Sequence, residues 1–215
     1  MTRVEIELFT EISMHNFVKK AKRGGIAMAI HRYFKANNPR IGDEYDPSQP
    51  TTWISYVDAN NLYGWAMSQF LPLKNYKWFA TRAFLNNRKD LQKRYLNMIL
   101  NTKANAPKGY FLNIKAHFPI KLHDYLNDLP PAVENIAVKK NQLSPYNNKL
   151  VEDLDEGRFS EIKKLVPHLG PRDNYVIHYQ ELQYYVKLGM VVDEVIEILS
   201  FDQTNWLAPY IKFNT

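Results

Sequence analysis

YVIHYQELQYYVKLGMVVDEVIEILSF, residues 175–201, carries the fold in miniature. Tyr175 to His178 is a short run of β-favouring residues and reads as a strand. Gln180 to Leu188 then sets Leu182, Tyr185 and Val186 at helical spacing, and Gly189 fits the position just past a helix end. Val191 to Phe201 reads as a further strand. Working outward, Gly109 to Ala116 is another strand candidate. Thr81 to Leu100 carries Phe84, Leu85, Leu91, Tyr95 and Ile99 on one helical face, with Arg82, Lys89, Lys93 and Arg94 left to solvent. Trp53-Ile54-Ser55-Tyr56-Val57 is rich in β-formers and reads as a buried strand ending at Asp58. Asn61 to Phe70 looks like a turn into a short helix stopped by Pro72. Strands and helices mix without strict βαβ alternation, which predicts an α+β fold on a mixed, partly antiparallel sheet.

The remaining segments are less regular. Glu5 to Met14 reads as a short strand or a helix turn. Lys19, Lys20, Lys22 and Arg23 lead into Gly24-Gly25, read as a basic approach to a glycine turn. Ile26, Ile30 and Phe34 then predict a helix. Asn37 to Gln49 is rich in turn residues. His123 to Lys164, punctuated by Pro130-Pro131, Pro145 and Gly157, reads as an irregular insertion with short elements.

Composition narrows the function classes. The 215 residues carry a net charge of +6 and no cysteine, which excludes disulfides, zinc knuckles and thiol catalysis. No run of apolar residues is long enough to span a membrane, and the N-terminus lacks the basic start and apolar core of a secretory signal. The six histidines show no metal-ligand spacing. A basic excess with 13% aromatic residues is compatible with a polyanionic partner such as nucleic acid, and equally with a basic soluble protein.

The sharpest local feature is Asp58-Ala59-Asn60-Asn61-Leu62-Tyr63-Gly64, directly after a strand candidate. A carboxylate fixed by a strand end, beside exposed backbone carbonyls, offers the oxygen ligands that magnesium prefers. Tyr63, at the start of the following helix, would cover that site. The alternative is structural: Asp58 as a helix N-cap, Asn60 and Asn61 in a turn, and Tyr63 and Trp65 in the core.

The longer string Tyr56-Val-Asp58-Ala-Asn-Asn-Leu62-Tyr63-Gly-Trp65-Ala-Met-Ser-Gln69 resembles motif A of family B DNA polymerases, usually D-x-x-S-L-Y-P. It is similar above all to the protein-primed branch found in self-synthesising DNA transposons, related viruses and linear plasmids, where D-x-N-N-L-Y-G-W-A-M is typical. Arg23-Gly24-Gly25-Ile26, Leu122-His123-Asp124, Leu143-Ser144-Pro145-Tyr146, Tyr175 to Tyr179 and Gln203 to Tyr210 agree in order. The resemblance therefore runs from about Arg23 to the end.

It implies a DNA-directed DNA polymerase, a nucleotidyltransferase that adds deoxynucleotides to a primer on a DNA template through two magnesium ions. Asp58 is then the catalytic carboxylate that ligates both metals, and Ala59 gives its carbonyl to the nucleotide-side metal. Leu62 and Tyr63 floor the deoxynucleotide site, with Tyr63 rejecting the ribose 2′-hydroxyl. Lys22, Arg23, Gly24 and Gly25 resemble the Y-x-G-G loop that touches the template, with Lys22 in place of the tyrosine. The basic run read alone is equally a solvated surface.

The implied organisation is a linker with the loop at 1–50, the start of a palm with motif A at 51–122, and an insertion at 123–170 that accommodates a terminal protein primer. The palm continues over 171–215, short of motif B. No Asp-Thr-Asp of the motif C type occurs, so the 215 residues are expected to be inactive alone. The other reading is a degenerate remnant that only binds DNA or protein. Lys115 and His117 stand where the family has acids (V-D-L-E-Y-P), and Glu197-Ile198 where a His-Arg pair is common.

Overall fold

A computed structural model describes residues 3–24, 26–31, 33–155 and 157–214. Its centre is a four-stranded sheet in the order β1 (Leu71–Ala80), β6 (Val191–Thr204), β2 (Lys108–His117), β5 (Arg172–His178). Every pairing in it is antiparallel. A separate antiparallel ribbon pairs β3 (Glu134–Ala137) with β4 (Lys163–Val166). The helices are α1 (Ile12–Ala21), α2 (Leu62–Met67), α3 (Arg82–Leu85), α4 (Lys89–Leu100), α5 (His123–Leu126), α6 (Pro145–Asp155), α7 (Tyr179–Lys187) and α8 (Ala208–Asn214). The α+β class follows, and among the described residues no helix is long and apolar enough to cross a membrane.

Alternation along the strands gives the sheet two apolar faces. Tyr110, Leu112, Ile114 and Ala116 of β2 join Tyr175 and Ile177 of β5 and Ile198 of β6 against Leu85, Ile99, Tyr179 and Leu182 from α3, α4 and α7. Phe111, Val176, Leu199 and Phe201 face the other way, onto Met14 and Phe17 of α1 and Tyr76 and Trp78 of β1. Gly109 lies where any Cβ would enter the Phe201 ring. Gly189 ends α7 at φ +98° and packs against Leu122; both features favour glycine.

Four sequence expectations need correction. Trp53 to Val57 is not a buried strand: it is irregular, and Trp53, Ile54, Tyr56 and Val57 are 57, 68, 97 and 82% exposed. Strand propensity is realised only against a partner. Here the β1 edge is taken by the chain near Glu7, whose N–H donates to the Leu73 carbonyl. The β5 edge faces residues 131–133 through Tyr175 and Arg172. Second, among the described residues no helix forms between Gly24 and Asn38. Ile26, Met28, Ile30 and Phe34 stay exposed, and a short helix with no face to bury is marginal. The helix is α1 instead, ahead of the glycines. Third, Gly24 adopts no left-handed φ, and a Cβ there would meet nothing. Fourth, β1 went unread, because Pro72 looked like a stop and Asn75, at φ 58°, breaks the alternation.

The insertion is anchored by one buried side chain. Arg172 is 1% exposed and donates to the carbonyls of Ala132 (2.8 Å), His168 (2.7 Å) and Gly170, reaching His168 Nδ1 at 3.0 Å. His168 Nε2 lies 3.1 Å from Glu134 Oε2. Burial first, then Arg172, lowers the His168 pKa.

His178 is enclosed by Phe111, Tyr179 and Phe201, with ring centroids 5.3, 4.7 and 5.9 Å away. Burial holds its pKa down to about 4 against an ordinary 6.5. The unfolded chain therefore takes this proton first, and stability present above pH 6.5 is lost as pH falls toward about 4. The melting temperature should drop across that window. His178→Phe, which keeps a ring and removes the titration, should drop less, and an equal drop would remove His178 as a cause.

Candidate functional site

Asp58 lies in a span tied down at both ends. At the N-terminal end Thr52 donates its N–H to the Asn37 carbonyl at 2.8 Å, and its own carbonyl accepts from Asn38 Nδ2 at 3.0 Å. At the C-terminal end Asn61 takes a left-handed conformation (φ 51°, ψ 42°), and its side-chain oxygen accepts the Gly64 N–H at 3.2 Å to cap α2. The cap is therefore Asn61, not Asp58. Asp58 is exposed, and among the described residues no hydrogen bond or ion pair holds its carboxylate.

Leu62, Tyr63 and Trp65 are also exposed, Tyr63 at 82%, so the alternative that put Tyr63 and Trp65 in the core does not hold. Buried Gly64 sits against the Asn61 side chain, and α2 packs on α8. Asp58, Ala59, Leu62 and Tyr63 thus share one exposed turn-and-helix segment. Among the described residues no group of three or more His, Asp or Glu side chains could hold a metal ion. One carboxylate and the Ala59 carbonyl fall short of a donor set for two magnesium ions, so no chemical step is derived through metal from these residues alone.

The basic run gathers into a groove. Lys19 and Lys20 end α1, where cations suit the helix dipole. Lys22 is its exposed C-cap. Arg23 lies over the Tyr175 ring, 3.7 Å from its centroid, and Arg172 lies 6.0 Å from the same ring. Burial, the largest influence, raises the Tyr175 pKa to about 12. Lys19, Lys20 and Arg23 line a cavity of about 170 Å³ with Glu134, Asn135, Asn174 and Tyr175. Gly24 is exposed beside it, and Gly25 lies outside the described residues. Sequence reading missed Tyr175, Glu134 and Asn135 as groove residues, because nothing in local spacing links them to residues more than a hundred positions earlier.

The departures from the family pattern turn out to be neighbours. Lys115 on β2 reaches Glu194 on β6 at 3.1 Å and Asp173 at 4.0 Å, and His117 Nδ1 meets Asp193 at 2.8 Å. Asn113 donates to Glu197 at 2.9 Å, with Arg82 3.8 Å from the same carboxylate. Lys115 and His117 on β2 thus face carboxylates on β6 across one ladder. The Glu194 hydrogen bond, first among several influences, raises the Lys115 pKa. A cavity of about 400 Å³, lined in part by Arg82, Lys115, Asp173 and Glu194, opens on this ladder and not at Asp58.

Comparisons with protein-family models, with curated proteins and with solved structures each gave no match.

Two measurements follow. Lys115→Glu sets like charges opposite one another and should lower the melting temperature, while adding Glu194→Lys restores much of the loss. If the double variant melts no higher than the single one, the ladder pairing is wrong. The groove should bind single-stranded DNA weakly, without sequence preference, and with affinity falling steeply as salt rises. Neutralising Lys19, Lys20, Lys22 and Arg23 together should flatten that slope, and an unchanged slope would make the run a solvated surface.

Proposed function

We propose that this chain is part of a DNA-directed DNA polymerase of the protein-primed family B type, contributing the motif A carboxylate and one template-contacting loop. The observation that carries the reading is the string Tyr56 to Gln69, with Asp58 left unpaired immediately ahead of an Asn61-capped helix. A carboxylate meant for a metal must not be consumed by a protein partner, and neither the cap nor a salt bridge consumes this one. The groove of Lys19, Lys20 and Arg23 supports a phosphate-bearing partner.

In this reading Asp58 is one ligand of a magnesium pair whose remaining donors come from elsewhere in the polymerase. The metals, when bound, stabilise charge on the attacking and leaving oxygens. This chain's own residues hold position. Asn61 fixes the turn between Asp58 and α2, Leu62 and Tyr63 present the floor of a deoxynucleotide site, and the Tyr63 ring fills the volume a 2′-hydroxyl would need. The partners are a DNA primer and template, deoxynucleoside triphosphates and a terminal protein primer, for which the insertion at 123–170 is the candidate seat. A second reading, a non-catalytic DNA- or protein-binding remnant, draws on the same groove and on the lack, among the described residues, of any group of three or more His, Asp or Glu that could hold a metal ion.

The test uses a protein that carries this chain together with motifs B and C. It should extend a primer on a template, and Tyr63→Val should raise ribonucleotide incorporation relative to the matching deoxynucleotide. The 215 residues alone should bind DNA without extending it, because groups that position and neutralise the triphosphate act as a unit. Unchanged sugar discrimination in Tyr63→Val would remove the gate assignment. A longer protein that binds DNA and never extends a primer would favour the remnant.

A further inference from the structure

We propose that Glu134, carried in by the insertion, is an electrostatic brake on the basic groove: its carboxylate offsets Lys19, Lys20 and Arg23 and keeps the hold on single-stranded DNA weak. The proposal rests on the reading of that groove as a surface for a phosphate-bearing strand.

Glu134 opens β3, which belongs to the separate ribbon and not to the central sheet. Its place is nonetheless fixed from outside the ribbon. Arg172 Nε donates to the Ala132 carbonyl at 2.8 Å and the Tyr175 hydroxyl to the Val133 carbonyl at 3.0 Å, so the two residues ahead of Glu134 are pinned to β5. His168 takes the carboxylate itself, Nε2 to Oε2 at 3.1 Å. The direction of that bond follows from Arg172. A guanidinium has only hydrogens to offer, so His168 Nδ1, 3.0 Å from Arg172 Nη1, must accept. The single ring proton is then on Nε2, donated to Glu134. A neutral histidine thus orients the carboxylate without cancelling its charge.

That charge stays available to the groove. Glu134 lines the same cavity of about 170 Å³ as Lys19, Lys20 and Arg23, and its side chain is 25% exposed. Behind burial, Arg23 pulls the Tyr175 pKa down and Glu134 pushes it up, so both charges reach the same ring. Among the described residues no carboxylate comes within ion-pair distance of Lys19, Lys20 or Arg23. Glu134 therefore weakens the field of the groove without plugging it. Three cations still favour a phosphate, which must also approach one fixed like charge. In the polymerase reading a template strand has to advance, and a hold of this kind guides it and lets it go.

The test is the affinity of the full 215-residue chain for a fluorescent single-stranded oligodeoxythymidylate, measured from low to moderate salt. Glu134→Gln keeps the shape and an oxygen for the His168 N–H, and removes the charge. It should bind about fivefold more tightly at low salt, lose affinity more steeply as salt rises, and melt at the same temperature. Asp90→Asn removes an equal charge from α4, which packs on the sheet face opposite α1, and should leave the affinity unchanged. Equal affinity of Glu134→Gln and the unaltered chain would overturn the brake and leave the groove reading standing. Equal tightening by Asp90→Asn would overturn it too, since net charge alone would then account for the gain. Absence of binding by both the unaltered chain and Glu134→Gln would overturn the groove reading, and the brake with it.

Discussion

β6 is hydrogen-bonded along one side to β1 and along the other to β2, and it contributes to both apolar faces at once. Val195 and Ile198 look toward α4 and α7, and Leu199 and Phe201 look toward α1. A strand used on both edges and both faces cannot shift by one residue without exchanging its two cores. That constraint sets the rest. The register of β2 against β6 puts Gly109 beneath Phe201 and Lys115 opposite Glu194. The register of β2 against β5 then brings Tyr175 to the sheet edge where Arg23 stacks. Removing the Phe201 ring would leave a void shared by α1 and the sheet, a change that typically costs about 3–5 kcal/mol.

The central strands and their helices were legible because their pattern is set by burial. β2, β5 and β6 alternate or run apolar, and α7 has its 3.6 period and closing glycine, whereas residues 123–164, read as an irregular insertion, also hold the 11-residue α6 and lend Leu126 and Ala132 to the main core. β1 was hidden because an edge strand with Pro72, Lys74, Asn75 and Lys77 buries only part of one face. Trp53 to Val57 erred the other way, with strong β propensity and no neighbour to pair with. Propensity tells what a segment could become, and the vacancy of a sheet edge decides whether it does.

The candidate site was legible as a string and not as a geometry. Asp58, Ala59, Leu62 and Tyr63 are contiguous, so the sequence could name them, and Asn61 rather than Asp58 as the cap could be settled only by backbone angles. The basic groove and the charge ladder join residues distant in the chain, and only folding brings them together. Lys115 and His117 looked like isolated departures until β2 was laid against β6, where Glu194 and Asp193 answer them.

In the proposed polymerase reading Asp58 is a metal-binding catalytic carboxylate, and the most direct measurement is primer extension by a polymerase carrying this chain, with and without Asp58→Asn. Loss of a direct metal ligand removes several kcal/mol of transition-state stabilisation while leaving an exposed side chain's fold intact. The expected result is metal-dependent extension by the unaltered protein and none by an Asp58→Asn protein with the same melting temperature. Extension at the unaltered rate by that folded variant would contradict the assignment.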